Sequence, residues 1–192
     1  AIMPVHIYGL SCDMKPIMNF AKENKIKVIE DAAQAIGVKY KSKHCGTFGD
    51  VGVISFFADK TIAMGEGGAI LTNKKNIYDK LKLIRNQGRP NSGTFIHPEF
   101  GMNFRITDMQ SAIGYAQLKK LSGKIKNKMK LFKRYKSNLK NCKNISIVKK
   151  PDYSNFAPFR FAFRSNKKIK IINALEKRGI QTRSFFYPMH LQ

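Results

Sequence analysis

Four polar residues stand where the strands of an α/β sheet are expected to end, which is where ligands bind in such folds. Asp31 follows the strand-like run Lys27-Val28-Ile29-Glu30, and Gln34 lies three residues on. Ser55 sits near the end of the apolar run 51–57, and Lys60 follows just before the turn Gly65-Glu66-Gly67-Gly68. A lysine amine can condense with a carbonyl once its pKa falls. A serine hydroxyl beside glycine-freed backbone N–H groups suits a phosphate dianion. The glycines match neither the GxGxxG dinucleotide pattern nor the P-loop. Taken singly, each feature has an ordinary reading: Asp31 as a turn former or cap, Ser55 as a partner of the backbone, Lys60 as one of 36 lysines and arginines, and the glycines as a tight turn. Their joint spacing is what carries weight.

The elements that must position these residues follow from the pattern. Residues 2–8 read as a strand closed by Gly9. Asp13 fits the N-cap of a helix through Ile17, Phe20 and Ala21 that ends near Asn24, with Pro16 in the first turn, where a missing N–H costs little. Residues 27–30 form a short buried strand. Strand, helix and strand in about thirty residues make one βαβ unit and imply parallel pairing. Residues 51–57 and 69–72 give two more strands. Asn73 fits the cap of a helix whose Ile77, Leu81 and Ile84 recur at helical spacing. Residues 86–102, rich in Gly, Pro and Asn, predict a long loop of the kind that usually carries function. From Thr107 or Asp108 one long helical pattern runs through Leu118, Leu121, Ile125, Met129, Phe132, Tyr135 and Leu139, with a nearly all-lysine back. Strands at 145–148 and around 159–163, a helix around 169–177 and a terminal segment after Gly179 complete the chain. The composition shift near residue 117 predicts an α/β domain over 1–116 and a smaller α+β domain over 117–192.

Composition bounds the function. At 43% hydrophobic residues over 192 positions, the chain can bury a core, which excludes a disordered segment. No apolar run approaches the ~18–20 residues of a membrane span, and the first residues lack the charged and small-residue regions of a signal peptide. Both ends are abrupt, as if the chain continued beyond them. Cys12, Cys45 and Cys142 are odd in number and far apart, which fits a reducing cytoplasm rather than a disulfide framework. His6, His44, His97 and His190 show no metal-ligand spacing, so no metal is expected. The formal charge of +24 raises a polyanion partner. The lysines are spread through the sequence alongside Asn and Ile, however, which favours a general drift of solvated faces to Lys. A basic nucleic-acid-binding module around Lys119 to Lys143 is a rival reading, and no nucleic-acid motif accompanies it.

Read jointly, Glu30-Asp31-Ala32-Ala33-Gln34-Ala35 and the run from Ser55-Phe56-Phe57 through Lys60 to Gly65-Glu66-Gly67-Gly68 resemble the DegT/DnrJ-type sugar aminotransferases. Gly101-Met102-Asn103-Phe104-Arg105-Ile106-Thr107 with Gln110, Ala112 and Gly114 is similar to that family's GxNxRxTxxQxAxG segment. Pro4-Val5-His6-Ile7-Tyr8-Gly9 and Tyr187-Pro188-Met189-His190 are similar to further family signatures, so the resemblance spans the chain. It implies the aspartate-aminotransferase-like fold (fold type I): part of a large pyridoxal phosphate (PLP) domain with a mainly parallel sheet, plus a small α+β C-terminal domain. It also implies a homodimer with a shared active site. By position, Lys60 would be the lysine that holds PLP and moves protons during catalysis. Asp31 would pair with the pyridine nitrogen, Gln34 would approach the phenolic oxygen, Ser55 would bind phosphate, and Asn103 would reach the cofactor of the neighbouring subunit.

The expected activity is ping-pong transamination of a nucleotide-linked 4-keto-6-deoxysugar, with glutamate as the amino donor. Relatives with histidine in place of the lysine are dehydratases, and Lys60 speaks against that here. The run around Lys60 looks most like the perosamine synthases, which aminate GDP-4-keto-6-deoxymannose. The family's N-terminal phosphate loop and ring-stacking aromatic are not among these residues, so a non-catalytic remnant of the fold is the second reading.

Overall fold

Pro4 decides how the first extended segment joins the sheet in this computed structural model, which describes residues 1–91, 93 and 95–192. Ile2 donates to Lys27 O at 2.8 Å and accepts from Ile29 N at 2.9 Å. Pro4 accepts from Asp31 N at 2.9 Å, but it has no N–H to return. The ladder resumes only where His6 N donates to Asp31 O at 2.9 Å. The expected strand over 2–8 is therefore two isolated parallel bridges, Ile2 to Val28 and Val5 to Asp31.

The chain then forms α1 (Met14–Glu23) and β1 (Ile29–Asp31), followed by a small antiparallel hairpin of β2 (Lys39–Tyr40) and β3 (Lys43–His44). Next come β4 (Val51–Ser55), β5 (Gly68–Leu71) and α2 (Lys75–Arg85). The main sheet has the order β1-β4-β5, with β1 and β4 parallel and β5 antiparallel to β4. The parallel pairing expected of the βαβ unit is present. α1 starts after Asp13 as expected, yet Asp13 makes no side-chain cap bond; its Oδ1 accepts from the Tyr40 hydroxyl at 2.8 Å instead. The cap of α2 is Lys74, not Asn73, and the Asn73 amide donates to Thr47 O at 3.5 Å.

The long helical pattern after residue 107 is two helices, α3 (Asp108–Lys119) and α4 (Leu121–Asn138). They break at Lys120, whose φ of −94° and ψ of 1° leave the helix. β6 (Ser146–Ile147) pairs antiparallel with β7 (Phe163–Arg164), α5 (Lys168–Glu176) follows, and Met189–Leu191 is a 3₁₀ turn. The expected division between 116 and 117 falls within α3. Phe132 and Tyr135 of α4 pack on Phe156 and Phe161 with ring centroids 4.6–5.5 Å apart.

Two buried clusters hold the strand ends. One joins Met14 and Ala21 of α1 to Val28 and Tyr40. The other joins Ala32, Ala35, Val38, Cys45, Ile54 and Ala157, with Ile125 of α4 packed against it. Ala157 thus brings the C-terminal part of the chain against the segment that follows β1.

Candidate active site

Asp31 and Ser55 end two neighbouring parallel strands, in a register that pairs Asp31 with Val53. Both side chains therefore stand at the carboxyl edge of the sheet, the ligand-binding edge of open α/β sheets. Behind Asp31, the fully buried Glu30 fixes the strand end. Its Oε1 accepts from Phe48 N at 2.6 Å and Gly49 N at 2.7 Å. Its Oε2 accepts from Gly46 N at 2.7 Å and from His6 Nε2 at 3.0 Å. Cys12 N donates to His6 Nδ1 at 3.1 Å, so the ring proton sits on Nε2 and points at the carboxylate. Burial pushes the Glu30 carboxyl up, but His6 and the three backbone N–H groups outweigh it and hold the pKa below the ordinary value. The carboxylate clamps the 46–49 turn to the strand that ends in Asp31.

Asp31 Oδ1 accepts from Ala33 N at 3.0 Å, which turns the chain away from the sheet and toward Gln34. Gln34 Oε1 accepts from Tyr8 N at 3.1 Å. With its oxygen engaged, the amide presents its N–H groups as the free end. Tyr8 has φ of 55°, a left-handed conformation rare outside glycine. Gly9 follows at φ of 86°, where a Cβ would meet Ala157 O at 2.0 Å. The Tyr8 ring lies 4.5 Å from that of Phe185 and 6.4 Å from that of Phe186.

Lys60 lies in the turn beyond β4, its N–H bonded to Phe57 O at 3.0 Å. That turn is closed by Phe56 N on Gly67 O at 2.8 Å and Met64 N on Phe56 O at 2.9 Å. The Lys60 side chain is only 16% exposed, and its Nζ lies 3.5 Å from Asp59 Oδ1. Among the described residues, Ser55 Oγ accepts one long bond, 3.3 Å, from Phe57 N, which leaves its hydroxyl proton to donate. Asn103 stands on the exposed segment after the long loop and bridges to Asn86. Its Oδ1 accepts from Arg105 Nε at 3.0 Å, and it bonds none of the other four residues.

The structure adds residues that the sequence did not single out. Asp59 Oδ2 accepts from Arg160 Nη2 at 2.7 Å and lies 3.7 Å from Arg183 Nη1. Burial raises the Tyr8 hydroxyl pKa, and the charges of Arg160 and Arg183 oppose it. Phe159 is buried beneath Lys60, whose Nζ sits 5.2 Å from its ring centroid. Only the adjacency of Asp59 to Lys60 signalled any of this in the sequence. A separate cleft of about 1020 Å³ lies between β5, α2 and the segment 104–110, and its lining includes none of the five expected site residues.

A carboxylate at one strand end, a hydroxyl at the next, an oriented amide donor and a part-buried amine form the donor set that PLP needs, and these residues fit it. Residues 1–192 match the DegT/DnrJ/EryC1/StrS aminotransferase family. The chain is 38% identical over 191 residues to GDP-perosamine synthase of Escherichia coli O157:H7, covering 99% of this chain and 52% of that protein. It is 37% identical over 199 residues to GDP-perosamine synthase of Caulobacter vibrioides, covering 100% and 53%. The structure matches that of a DegT DnrJ EryC1 StrS aminotransferase from Brucella abortus with a TM-score of 0.91 and 29% identity, over 100% of this chain and 51% of that one. It also matches an E. coli GDP-4-keto-6-deoxy-D-mannose-3-dehydratase with bound hydrated PLP, with a TM-score of 0.84 and 26% identity, over 95% and 52%. The fold is therefore the α/β fold of these enzymes, and the chain spans about half the length of the curated relatives it matches.

Proposed function

This chain belongs to the DegT/DnrJ/EryC1/StrS aminotransferase family, and from that premise we propose that it carries the reactive-lysine half of a PLP-dependent sugar aminotransferase. The observation that carries the reading is the placing of Asp31 and Ser55 on adjacent parallel strands, with Lys60 in the turn that follows. PLP, when bound, supplies the electron sink that lets an amino group pass from one substrate to another.

The chain's own groups do the rest. Lys60 Nζ would hold the cofactor and would carry the proton to and from the reacting carbon as general base and acid. Asp31 keeps the proton on the ring nitrogen, as a nearby carboxylate favours a cation. Gln34 would donate its amide N–H to the phenolic oxygen, and Ser55 would donate its hydroxyl to phosphate. Asn103, on its exposed segment, reaches the phosphate site of a second copy in a homodimer.

The substrate is a nucleotide-linked 4-keto-6-deoxysugar, GDP-4-keto-6-deoxymannose being the first candidate, and the amino donor is glutamate. The near-40% identity to GDP-perosamine synthase supports this choice. Lys60, in place of the histidine of the dehydratases, supports amination over dehydration. The test is amination by the full-length protein across a panel of nucleotide-4-ketosugars, read as glutamate-dependent formation of aminosugar. Product with the GDP-linked sugar is expected. Glutamate-independent loss of a hydroxyl, or no aminosugar from any member of the panel, would contradict the reading.

A further inference from the structure

Three cations share one aromatic ring. The Nζ atoms of Lys60 and Lys128 lie 5.2 and 5.5 Å from the centroid of Phe159, and Arg160 Cζ lies 5.0 Å from it. Arg183 joins them through Asp59 at 3.7 Å. Against these four positive groups stands, among the described residues, one carboxylate, Asp59. Lys128 is part-buried, its ammonium bonded to Phe159 O at 2.9 Å. Burial, then the charges of Arg160 and Lys124, hold its pKa below that of an ordinary lysine, and Asp59 opposes them only in part. Positive groups gathered on a buried ring with too little negative charge are costly unless an anion completes the set.

We propose that Arg160 and Lys128 form a receptor for an oxyanion, a carboxylate or phosphate group, of a substrate that reacts at Lys60, with Asp59 holding Arg160 in position. The proposal rests on the reading of Lys60 as the reactive lysine. Among the described residues, the guanidinium has one hydrogen-bond acceptor, Asp59 Oδ2 at 2.7 Å. A guanidinium offers five donors in a planar fork, so a second anion can be gripped without releasing the first. Lys128, bonded to one carbonyl, has two further donors to offer. The buried Phe159 ring keeps water from one side, and that strengthens both contacts. Two substrate groups share the required chemistry: the carboxylates of an amino-acid donor and the diphosphate of a nucleotide-sugar.

The test is calorimetric titration of the full-length, PLP-loaded protein with glutarate in one arm and inorganic pyrophosphate in the other. The protein is compared with Arg160→Gln/Lys128→Gln and with Lys130→Gln/Lys133→Gln, a control that removes the same charge from exposed positions of α4. The first pair should weaken at least one ligand about tenfold or more, and the control less than about twofold. Loss confined to glutarate assigns the receptor to the amino donor, and loss confined to pyrophosphate assigns it to the nucleotide-sugar. Arg160→Lys, which keeps the charge and loses the fork, should fall between the two and guards against a folding defect in the double variant. Equal weakening by both pairs, or none by either, overturns the receptor. Labelling of Lys60 by PLP is measured separately. Labelling without any binding loss overturns the receptor alone, and binding loss without labelling overturns the assignment of Lys60.

Discussion

The buried carboxylate of Glu30 accepts a hydrogen bond from His6 Nε2 at 3.0 Å, one residue before Asp31. Three backbone N–H groups of the 46–49 turn share that carboxylate. Glu30→Ala strands all four donors in the interior and should cost about 2–5 kcal/mol, read as a lower denaturation midpoint. The pH dependence has a definite sign. The folded pKa of Glu30 lies below the ordinary glutamate value of 4.5, so its stabilisation is present above that value and is lost as pH falls through the folded pKa. Glu30→Gln should therefore flatten the acid limb of the stability profile. An acid limb unchanged by the substitution would show that Glu30 is not the linked group.

Gly52 allows β4 to pass the 46–49 turn. A Cβ there would lie 2.0 Å from Gly46 O, and Gly46 cannot yield because Glu30 holds its N–H. Gly52→Ala should destabilise by about 2 kcal/mol or more through overpacking, measured by denaturant unfolding. A near-neutral result would mean that the turn is free to move.

Thr107 and Gln110 form a capping box: Gln110 N donates to Thr107 Oγ1 at 3.2 Å, and Thr107 N donates to Gln110 Oε1 at 2.9 Å. Gln110 Nε2 also reaches Glu66 O at 3.3 Å, which ties the start of α3 to the glycine turn beyond Lys60. Thr107→Ala should cost about 1 kcal/mol and speed amide exchange at residues 66–68. Faster exchange within α3 alone would show that the tie to the turn carries no weight.

Asp31→Asn separates folding from chemistry. An asparagine oxygen can still accept from Ala33 N, the bond that makes the turn. Stability should change by less than about 1 kcal/mol, while the transamination rate falls by about a hundredfold or more with the loss of the carboxylate charge. A rate close to that of the unchanged protein would remove Asp31 from the proposed cofactor site.

Much of this arrangement is legible in the sequence, for physical reasons. Short apolar runs announced β1, β4 and β5, the last two entered from glycine, and helical spacing placed α1 within a residue of its ends. Local pattern says nothing about contacts made at long range. Asp59 meets Arg160 across 101 residues, and neither residue carries a mark of the other. The break at Lys120 was hidden because the apolar spacing continues from Leu118 to Leu121 across it. The left-handed Tyr8 bonds Gln34, and Gly9 beside it meets Ala157; no window around Tyr8 contains either partner. Pro4 was visible, but its effect required knowing which of its neighbours' N–H groups joined the ladder.

The central claim is that Lys60, among 36 lysines and arginines, is the amine that holds PLP. The most direct measurement is to add PLP to the full-length protein, reduce with borohydride, digest, and map the cofactor-modified lysines by mass spectrometry, with Lys60→Ala as the control. Modification concentrated at Lys60 is expected, together with a visible or near-ultraviolet absorption band before reduction that Lys60→Ala lacks. Modification spread over exposed lysines of α4 with no preference for Lys60, or an undiminished band in Lys60→Ala, would contradict it.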